Sequence, residues 1–364
     1  MIRPRNEHTL AGACEVSGRG YWSGAEVCVR FVPAPAASGI RFVRTDLPGR
    51  PGCDALVCFT NAASFRTNIV DGPVMFEMIE HVMSALYALE IDNCVVEVDG
   101  QEMPGMDGSA LPFVEALRSV GLVVQAAARK RYIVDRTFRV GDENCWIEAS
   151  PVTDGYPVFE YHLDYRDGGP IVAQHYRGSL NSYSFCRELA PARTFVTAAQ
   201  VELLKSQGVG NHVGTEDLLV FGDSGLIGNS LRFQNECARH KTLDLIGDLA
   251  LTGMDLIGRF VSHRGGHRLN GELARLLSRF VGTSSMTCGT GSQFAPPVNP
   301  LIRGGQPLLG QQTPGQPSLS PCPTVSVAHW QPTDRRSSAG EGSSVDEDTG
   351  VRKPFADQPR RNVA

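Results

Sequence analysis

The stretch "FQNECARHKTLDLIGDLAL", residues 233–251, decides the fold, because it carries several ionisable side chains that are costly to bury. At about 100° per residue, His240, Asp244 and Asp248 fall within about 80° of one another on a helix, with Lys241 at the edge of that sector. Leucine, isoleucine and alanine cover the opposite side. These residues therefore predict a helix that packs one apolar face and presents one polar face to a site.

Two interpretations of that polar face are open. Histidine and aspartate four residues apart can bind one metal ion, because both side chains project from successive turns of the same face. The same spacing is also common on exposed helices, where the two side chains only hydrogen-bond to each other. On this helix alone, the exposed hydrogen-bonded pair is the more common case.

A second motif, "MIEHVMSAL" (78–86), places Glu80 and His81 next to each other among apolar residues. Charged side chains are rarely buried completely unless they are paired or ligated. Taken alone, His81 is most simply a satisfied core histidine. Together with His240 and Asp244 it completes a two-histidine, one-aspartate set, the open arrangement of a catalytic zinc, and Glu80 becomes a candidate base.

The third motif, "SHRGGHRLN" (262–270), indicates a proton donor. Gly265 and Gly266 permit tight backbone geometry, and His267 follows them directly. A histidine beside such a turn suits acid catalysis when a carboxylate is near. His263 lies on the same stretch, so spacing alone does not choose between the two histidines, and an ordinary loop histidine is the alternative.

Composition excludes several classes of protein. The formal net charge of −5 argues against nucleic-acid binding by bulk electrostatics. The first residues contain no apolar signal segment, and no run of about 18 apolar residues predicts a membrane span or anchor. The ten cysteines are scattered without a C-x-x-C pair. We therefore expect reduced cysteines in a cytoplasmic protein.

The hydrophobic pattern predicts an α+β fold made of two similar halves. Predicted strands are "EVCVRFVPA" (26–34), "GIRFVRTDL" (39–47), "CVVEVDG" (94–100), "RYIVDRTFRV" (131–140), "CWIEASPV" (145–152) and "PVFEYHLDY" (157–165). Predicted helices are "VMFEMIEHVMSALYALE" (74–90), "LPFVEALRSVG" (111–121), "AAQVELLKSQG" (198–208), "ECARHKTLDLIGDLALTG" (236–253) and "LNGELARLLSRF" (269–280). The halves share no evident sequence repeat.

Three segments follow from this pattern. An N-terminal domain is expected over residues 1–126 and a C-terminal domain over 131–284. The segment 285–364 is rich in Pro, Gly, Ser and Gln, so we expect it to be disordered. A docking tail is the alternative for that last segment.

Seven motifs then occur in a fixed order. They are "HTLAG" (8–12), "VPAPAASGIRFVRTDL" (32–47), "EHVMSAL" (80–86), "IDNCVVEVDGQEMPGMDGSALPFVEAL" (91–117), "RELAPARTF" (187–195), "RHKTLDLIGDLALTG" (239–253) and "RGGHRLN" (264–270). This order resembles the UDP-3-O-acyl-N-acetylglucosamine deacetylases, zinc amidases that commit a sugar nucleotide to lipid A synthesis. The resemblance covers about residues 3–280. It implies two α+β domains, each a sheet with two helices, packed around a zinc site, and an acyl-chain insert near 196–226.

The resemblance also implies a role for each matched residue. The ligands of Zn²⁺ would be His81, His240 and Asp244, a set that can also take Fe²⁺. The catalytic residues would be Glu80 as general base, His267 as acid, Asp248 as the residue orienting it and Thr194 at the oxyanion. The substrate UDP-3-O-acyl-N-acetylglucosamine would meet Lys241, Phe195, Arg264 at phosphate, and Tyr165 with Asp164 at uridine. A monomer is the expected state.

One departure from the family pattern concerns the substrate. "GRGYWSG" (18–24) has Tyr21 and Trp22 where the family has Leu-His. Trp22 is bulkier and cannot titrate, which motivates one alternative, a catalytically silent paralogue that binds sugar nucleotide or lipid. Another alternative is an active zinc amidase on a different N-acetylated sugar. The complete metal, base and acid set favours the family reaction.

Overall fold

The computed structural model describes residues 4–61, 65–153, 155–165 and 168–281. The chain has an α+β fold, as predicted. The expected disordered tail, 285–364, lies outside the described residues. Within the described residues no helix is long and apolar enough to cross a membrane, and no disulfide joins the cysteines.

The elements of the described residues are as follows. The strands are β1 (Asn6–Leu10), β2 (Cys14–Arg19), β3 (Glu26–Pro33), β4 (Ile40–Arg44), β5 (Gly52–Asp54), β6 (Thr60–Asn61), β7 (Asn68–Asp71), β8 (Val74–Phe76), β9 (Cys94–Val98), β10 (Leu122–Ala128), β11 (Arg131–Ile133), β12 (Phe138–Gly141), β13 (Trp146–Ser150), β14 (Val158–Leu163), β15 (Gln174–Ser179), β16 (Phe195–Thr197), β17 (Leu219–Gly222), β18 (Gly225–Leu226), β19 (Asp255–Ile257) and β20 (Arg259–His263). The α-helices are α1 (Glu80–Ala88), α2 (Leu111–Val120), α3 (Ser182–Ser184), α4 (Ala198–Ser206), α5 (Glu236–Ala250) and α6 (His267–Val281).

The two halves share one sheet topology. The first contains a five-stranded sheet in the order β2-β3-β9-β4-β5, and the second one in the order β12-β13-β20-β14-β15. In the first sheet, β9 comes last along the chain and lies between β3, to which it is antiparallel, and β4, to which it is parallel. In the second sheet, β20 has the same position between β13, to which it is antiparallel, and β14, to which it is parallel. One helix precedes and one follows that strand: α1 and α2 around β9, α5 and α6 around β20. The halves are therefore a structural repeat that their sequences do not reveal.

The helices form the layer in which the halves meet. Helix α1 packs against α5, while α2 contacts β2 and α6 contacts β12 and β13. Strand alternation supplies the apolar inner faces, as in β14, where Phe159 and Tyr161 are buried towards the helices. Polar residues of α1 and α5 thus meet at the centre of the molecule, away from water.

Two predicted elements were wrong in their bounds. The helix predicted over 74–90 begins only at Glu80, and Val74–Phe76 form β8 instead. Met78 has a left-handed backbone with φ 59°, which a helix cannot contain. The single strand predicted over 131–140 is two strands, because β11 pairs with β19 and β12 pairs with β13.

The approach of α1 to α5 depends on Gly247. A Cβ at this position would lie 2.1 Å from the carbonyl oxygen of Glu80, which is backbone and cannot swing away. We expect Gly247→Ala to lower the free energy of unfolding by about 1–3 kcal/mol, the usual cost of overpacking. Denaturant unfolding measures the change.

Gly271→Ala in α6 is the matched control. Its Cβ would meet only the flexible end of Arg275, at 3.5 Å. Replacing a helical glycine without a clash stabilises a protein slightly, so the control should not lose stability. Equal effects of the two substitutions would contradict the close approach at Gly247.

Candidate active site

Three side chains from α1 and α5 converge on one point. Nε2 of His240 lies 3.4 Å from Oδ1 of Asp244, and Nε2 of His81 lies 3.7 Å from the same oxygen. The two imidazole rings are perpendicular, with centroids 5.0 Å apart. One ligand atom from each residue lies within 4.8 Å of the others. The structure therefore brings together the three predicted metal ligands.

The surroundings of this cluster fit a metal ion. Nδ1 of His240 hydrogen-bonds to the Ala192 carbonyl at 3.1 Å, which leaves Nε2 for the cluster. Lys241 donates to Oδ2 of Asp244 at 2.7 Å, whereas Oδ1 is buried without a hydrogen-bond partner. An unsatisfied buried carboxylate oxygen is costly, and a cation would satisfy it. Every residue of α5 except Arg239 and Lys241 is buried, so an exposed His–Asp pair is excluded.

The protonation states also suit ligation. Burial, together with the nearby His240, lowers the pKa of His81 to about 3, and burial lowers that of His240. Burial works against ionisation of Asp244, but Lys241 and the histidines outweigh it and hold that pKa well below its usual range. The cluster at neutral pH is two neutral imidazoles and one carboxylate, the forms in which these groups bind metals.

Glu80 lies beside the cluster at the first turn of α1. Its Oε2 accepts a hydrogen bond from the Thr67 amide at 3.0 Å. Burial raises the pKa of Glu80 to about 7. A carboxylate that is half protonated near neutrality is suited to accept a proton during a reaction.

His267 is the first residue of α6 and also lies beside the cluster. Its Nδ1 lies 2.9 Å from Oδ2 of Asp248, and its Nε2 lies 3.7 Å from Oδ2 of Asp244. Burial opposes protonation of His267, but the Asp248 carboxylate outweighs burial and raises the pKa to about 9. The imidazolium that results can donate a proton.

The backbone that presents His267 differs in detail from the prediction. Arg264, rather than either glycine, adopts the left-handed conformation, with φ 58°. Gly265 is required for space, because a Cβ there would lie 2.5 Å from Oγ of Ser262. His263, the other candidate acid, stacks on Trp146 in the second sheet with centroids 5.8 Å apart. Of the two histidines, His267 is the one that lies beside the ligand cluster.

Two residues at the site were missed by sequence reasoning. Thr67 donates its hydroxyl to Asp248, and its Oγ1 lies 3.0 Å from Nδ1 of His267. Asn270 donates to Oδ2 of Asp248 at 2.8 Å. Asn270 could have been found from its spacing, one helical turn after His267, whereas Thr67 lies far along the chain with no motif to mark it.

An apolar cavity of about 420 Å³ opens from the cluster. Thr194 and Phe195 line it, and the Phe195 ring stands edge-on to His240 with centroids 6.2 Å apart. Further lining comes from α4 and β17, in the segment 196–226 predicted as an insert. Strands β16, β17 and β18 form a small sheet of their own there.

A second cavity of about 740 Å³ lies on the other side of His267. Its lining includes the basic side chains of Arg66, Arg264, Arg268 and Arg275. Asp164 also lines it and is ion-paired with Arg264. Tyr165, Lys241 and His267 line both cavities, so the two are adjacent at the cluster.

Tyr21 and Trp22, the departure from the family pattern, line the apolar cavity. The Tyr21 hydroxyl donates to the carbonyl of Asp217 at 2.5 Å, which ties this loop to the insert. The guanidinium of Arg66 lies 4.1 Å from the centre of the Trp22 ring. Trp22 therefore lines the apolar cavity and contacts Arg66, a residue that lines the basic one.

An α+β fold that gathers two histidines and an aspartate able to hold a metal ion, a further buried carboxylate and a further histidine around one cavity is typical of hydrolytic metalloenzymes. The comparisons with known proteins narrow this class. Residues 7–279 match the family model described as UDP-3-O-acyl N-acetylglycosamine deacetylase. Proteins named UDP-3-O-acyl-N-acetylglucosamine deacetylase from Brucella ovis, Brucella canis and Brucella melitensis are each 39% identical over 274 residues, covering 74% of this chain and 94% of each relative. The chain belongs to the UDP-3-O-acyl N-acetylglycosamine deacetylase family.

Proposed function

We propose that this enzyme hydrolyses the acetamide of UDP-3-O-acyl-N-acetylglucosamine to acetate and UDP-3-O-acyl-glucosamine, in the synthesis of lipid A. One observation carries the proposal. The ligand cluster, the base and the acid meet where an apolar cavity adjoins a basic one. That arrangement fits a substrate with a fatty chain, a diphosphate and an amide between them.

His81, His240 and Asp244 would hold the metal, which we propose is Zn²⁺, with Fe²⁺ compatible with the same ligands. When bound, such an ion polarises a carbonyl and lowers the pKa of water. The unsatisfied Oδ1 of Asp244 supports this assignment. The remaining roles belong to side chains of the chain itself.

Glu80 and His267 would move the protons. Glu80 takes a proton from the water that attacks the acetamide carbonyl, and His267 gives one to the departing amine. An amine leaves poorly unless it is protonated, so the imidazolium held by Asp248 matters as much as the base. Each such group typically contributes about 10²–10⁴ in rate.

Substrate contacts are proposed from the lining of the two cavities. Thr194 would donate to the developing oxyanion, and Phe195 would pack against the sugar. Lys241 lies at the junction and would contact the substrate beside the cluster. In the basic cavity, Arg264 would meet phosphate while Tyr165 and Asp164 hold uridine.

The 3-O-acyl chain distinguishes this reaction from that of an amidase on another sugar. We expect acetate release from the acylated sugar nucleotide to exceed that from UDP-N-acetylglucosamine, because only the former fills the apolar cavity. Steady-state kinetics on both compounds, with the same metal-loaded protein, provides the test. Equal kcat/KM values would favour the alternative amidase.

The pH profile should be bell-shaped. Activity rises with pH as Glu80 loses its proton and falls as His267 loses its proton. The acidic limb therefore follows the pKa of Glu80, about 7 without metal, and the alkaline limb follows the pKa of His267, about 9 without metal. A bound dication moves both limbs to lower pH, because it favours the deprotonated forms. Asp248→Asn removes the charge that keeps His267 protonated. We expect it to shift the alkaline limb of kcat/KM to lower pH.

Asp164→Asn is the control for this shift, since Asp164 pairs with Arg264 in the basic cavity. It should leave both limbs unchanged. An alkaline limb that is unmoved in Asp248→Asn would remove His267 as the acid.

Trp22→His restores the histidine of the family pattern and tests whether Trp22, which lines the apolar cavity, contacts the acyl chain. Removing indole contact that the ground and transition states share should raise KM without changing kcat. A loss of about 1.4 kcal/mol corresponds to about tenfold in KM for a long-chain substrate. Trp146→His, in strand β13 at a position that lines neither cavity, should leave KM unchanged. An unchanged KM in Trp22→His would show that Trp22 does not contact the acyl chain in the apolar cavity.

A further inference from the structure

The outer face of the second sheet carries a separate cluster of ligating side chains. On β14 the side chains of Phe159, Tyr161 and Leu163 are buried, and α5 packs against this strand. Because successive residues of a strand point to opposite faces, Glu160 and His162 share the other face. This face is therefore separated from the helices, and from the first ligand set, by the thickness of the sheet.

The strand register adds a third ligand to this face. His175 on β15 is the direct antiparallel partner of His162, and the two rings lie with centroids 4.5 Å apart. Nε2 of His162 lies 2.9 Å and Nε2 of His175 lies 3.3 Å from the same Glu160 oxygen, Oε1. One ligand atom from each of the three residues lies within 4.8 Å of the others.

We propose that Glu160, His162 and His175 form a second metal site, which takes a divalent transition ion of the Zn²⁺ type. Two imidazole nitrogens and one carboxylate oxygen are a recurrent ligand set for such ions. The three atoms already point at one another, so little side-chain entropy is lost when an ion replaces their hydrogen bonds. Solvent would complete the coordination, because both histidines are partly exposed.

The charges around Glu160 set the strength of this site. Burial opposes ionisation of Glu160, but hydrogen bonds from Arg259 and the two histidines lower its pKa to about 2, so it is a carboxylate at neutral pH. Arg259 lies 2.7 Å and Arg177 lies 3.8 Å from Oε2. Both guanidinium groups lie next to Oε2, so Oε1, which faces the two histidines, can bind the ion. They also weaken binding of a cation, so this site should fill after the buried one.

The test is metal stoichiometry in full-length protein without an affinity tag. Protein that holds one equivalent of Zn²⁺ is dialysed against increasing Zn²⁺, and bound metal is measured by elemental analysis. We expect saturation at a second equivalent. The double variant His162→Ala/His175→Ala should lose that second equivalent and keep the first. His8→Ala, which removes a histidine near Glu90 elsewhere in the fold, should behave as wild type.

Two outcomes would overturn the proposal: saturation of the wild type at one equivalent, and retention of the second equivalent by the double variant. The latter would place the extra ion elsewhere in the chain. Glu160→Gln covers the case in which the double variant does not fold. It keeps both imidazoles and removes only the anionic ligand, so it should also lose the second equivalent while holding the first.

Discussion

Glu80→Ala is expected to lower kcat by about 10²–10⁴ while one equivalent of metal stays bound. The reason is geometric. Glu80 is buried beside the ligand cluster but is not one of its three residues, His81, His240 and Asp244. Removing it takes away the proton acceptor and leaves the ligands. Acetate release and metal content, measured on the same sample, separate the two effects.

Glu90→Ala is the matched control for that substitution. Glu90 follows the same helix, is exposed and lies beside His8. Its loss should change neither turnover nor metal content. Turnover within a few fold of wild type in Glu80→Ala would remove Glu80 as the base, whereas loss of metal would make it a ligand instead.

Asp244→Ala should abolish turnover and metal binding at the cluster of His81, His240 and Asp244. Asp244 supplies the only negative charge among the three converging ligand atoms, and its Oδ1 is the atom that both histidines approach. Without it, two neutral imidazoles face the Lys241 ammonium, which repels a cation. Metal content after dialysis is the primary measurement.

Asp164→Ala serves as the control for metal content. It also removes a carboxylate from a partly exposed ion pair, but in the basic cavity, so it should retain one equivalent. Stoichiometric metal in Asp244→Ala combined with His162→Ala/His175→Ala, which removes the proposed second site, would show that the ion lies elsewhere in the chain, and the whole assignment would fail with it.

The sequence pattern predicted the features that depend on residues close together in the chain, such as helix faces and helix ends. The amphipathic spacing of His240, Asp244 and Asp248 placed all three on one face of α5, and the structure confirms that face. Gly121 ends α2 with φ 74°, as a C-terminal glycine should. The α+β class followed from the same periodicities.

Features that depend on tertiary contact could not be predicted in this way. The late start of α1 results from the left-handed Met78, a conformation that its sequence does not signal. Thr67 reaches Asp248 across 181 positions of chain. The shared topology of the two sheets is a property of strand order, which divergent sequences can keep. The domain limits at 126, 131 and 284 and the individual catalytic roles stay predictions.

The most direct test of the central claim is acetate release from UDP-3-O-(3-hydroxyacyl)-N-acetylglucosamine by protein that holds one equivalent of Zn²⁺. We predict turnover that disappears when the metal is removed by a chelator, returns when Zn²⁺ is added back, and is lost in Glu80→Ala with its metal intact. Metal-replete wild-type protein that releases no acetate would contradict the account. The better interpretation would then be a catalytically silent binding protein, with Trp22 lining its apolar cavity.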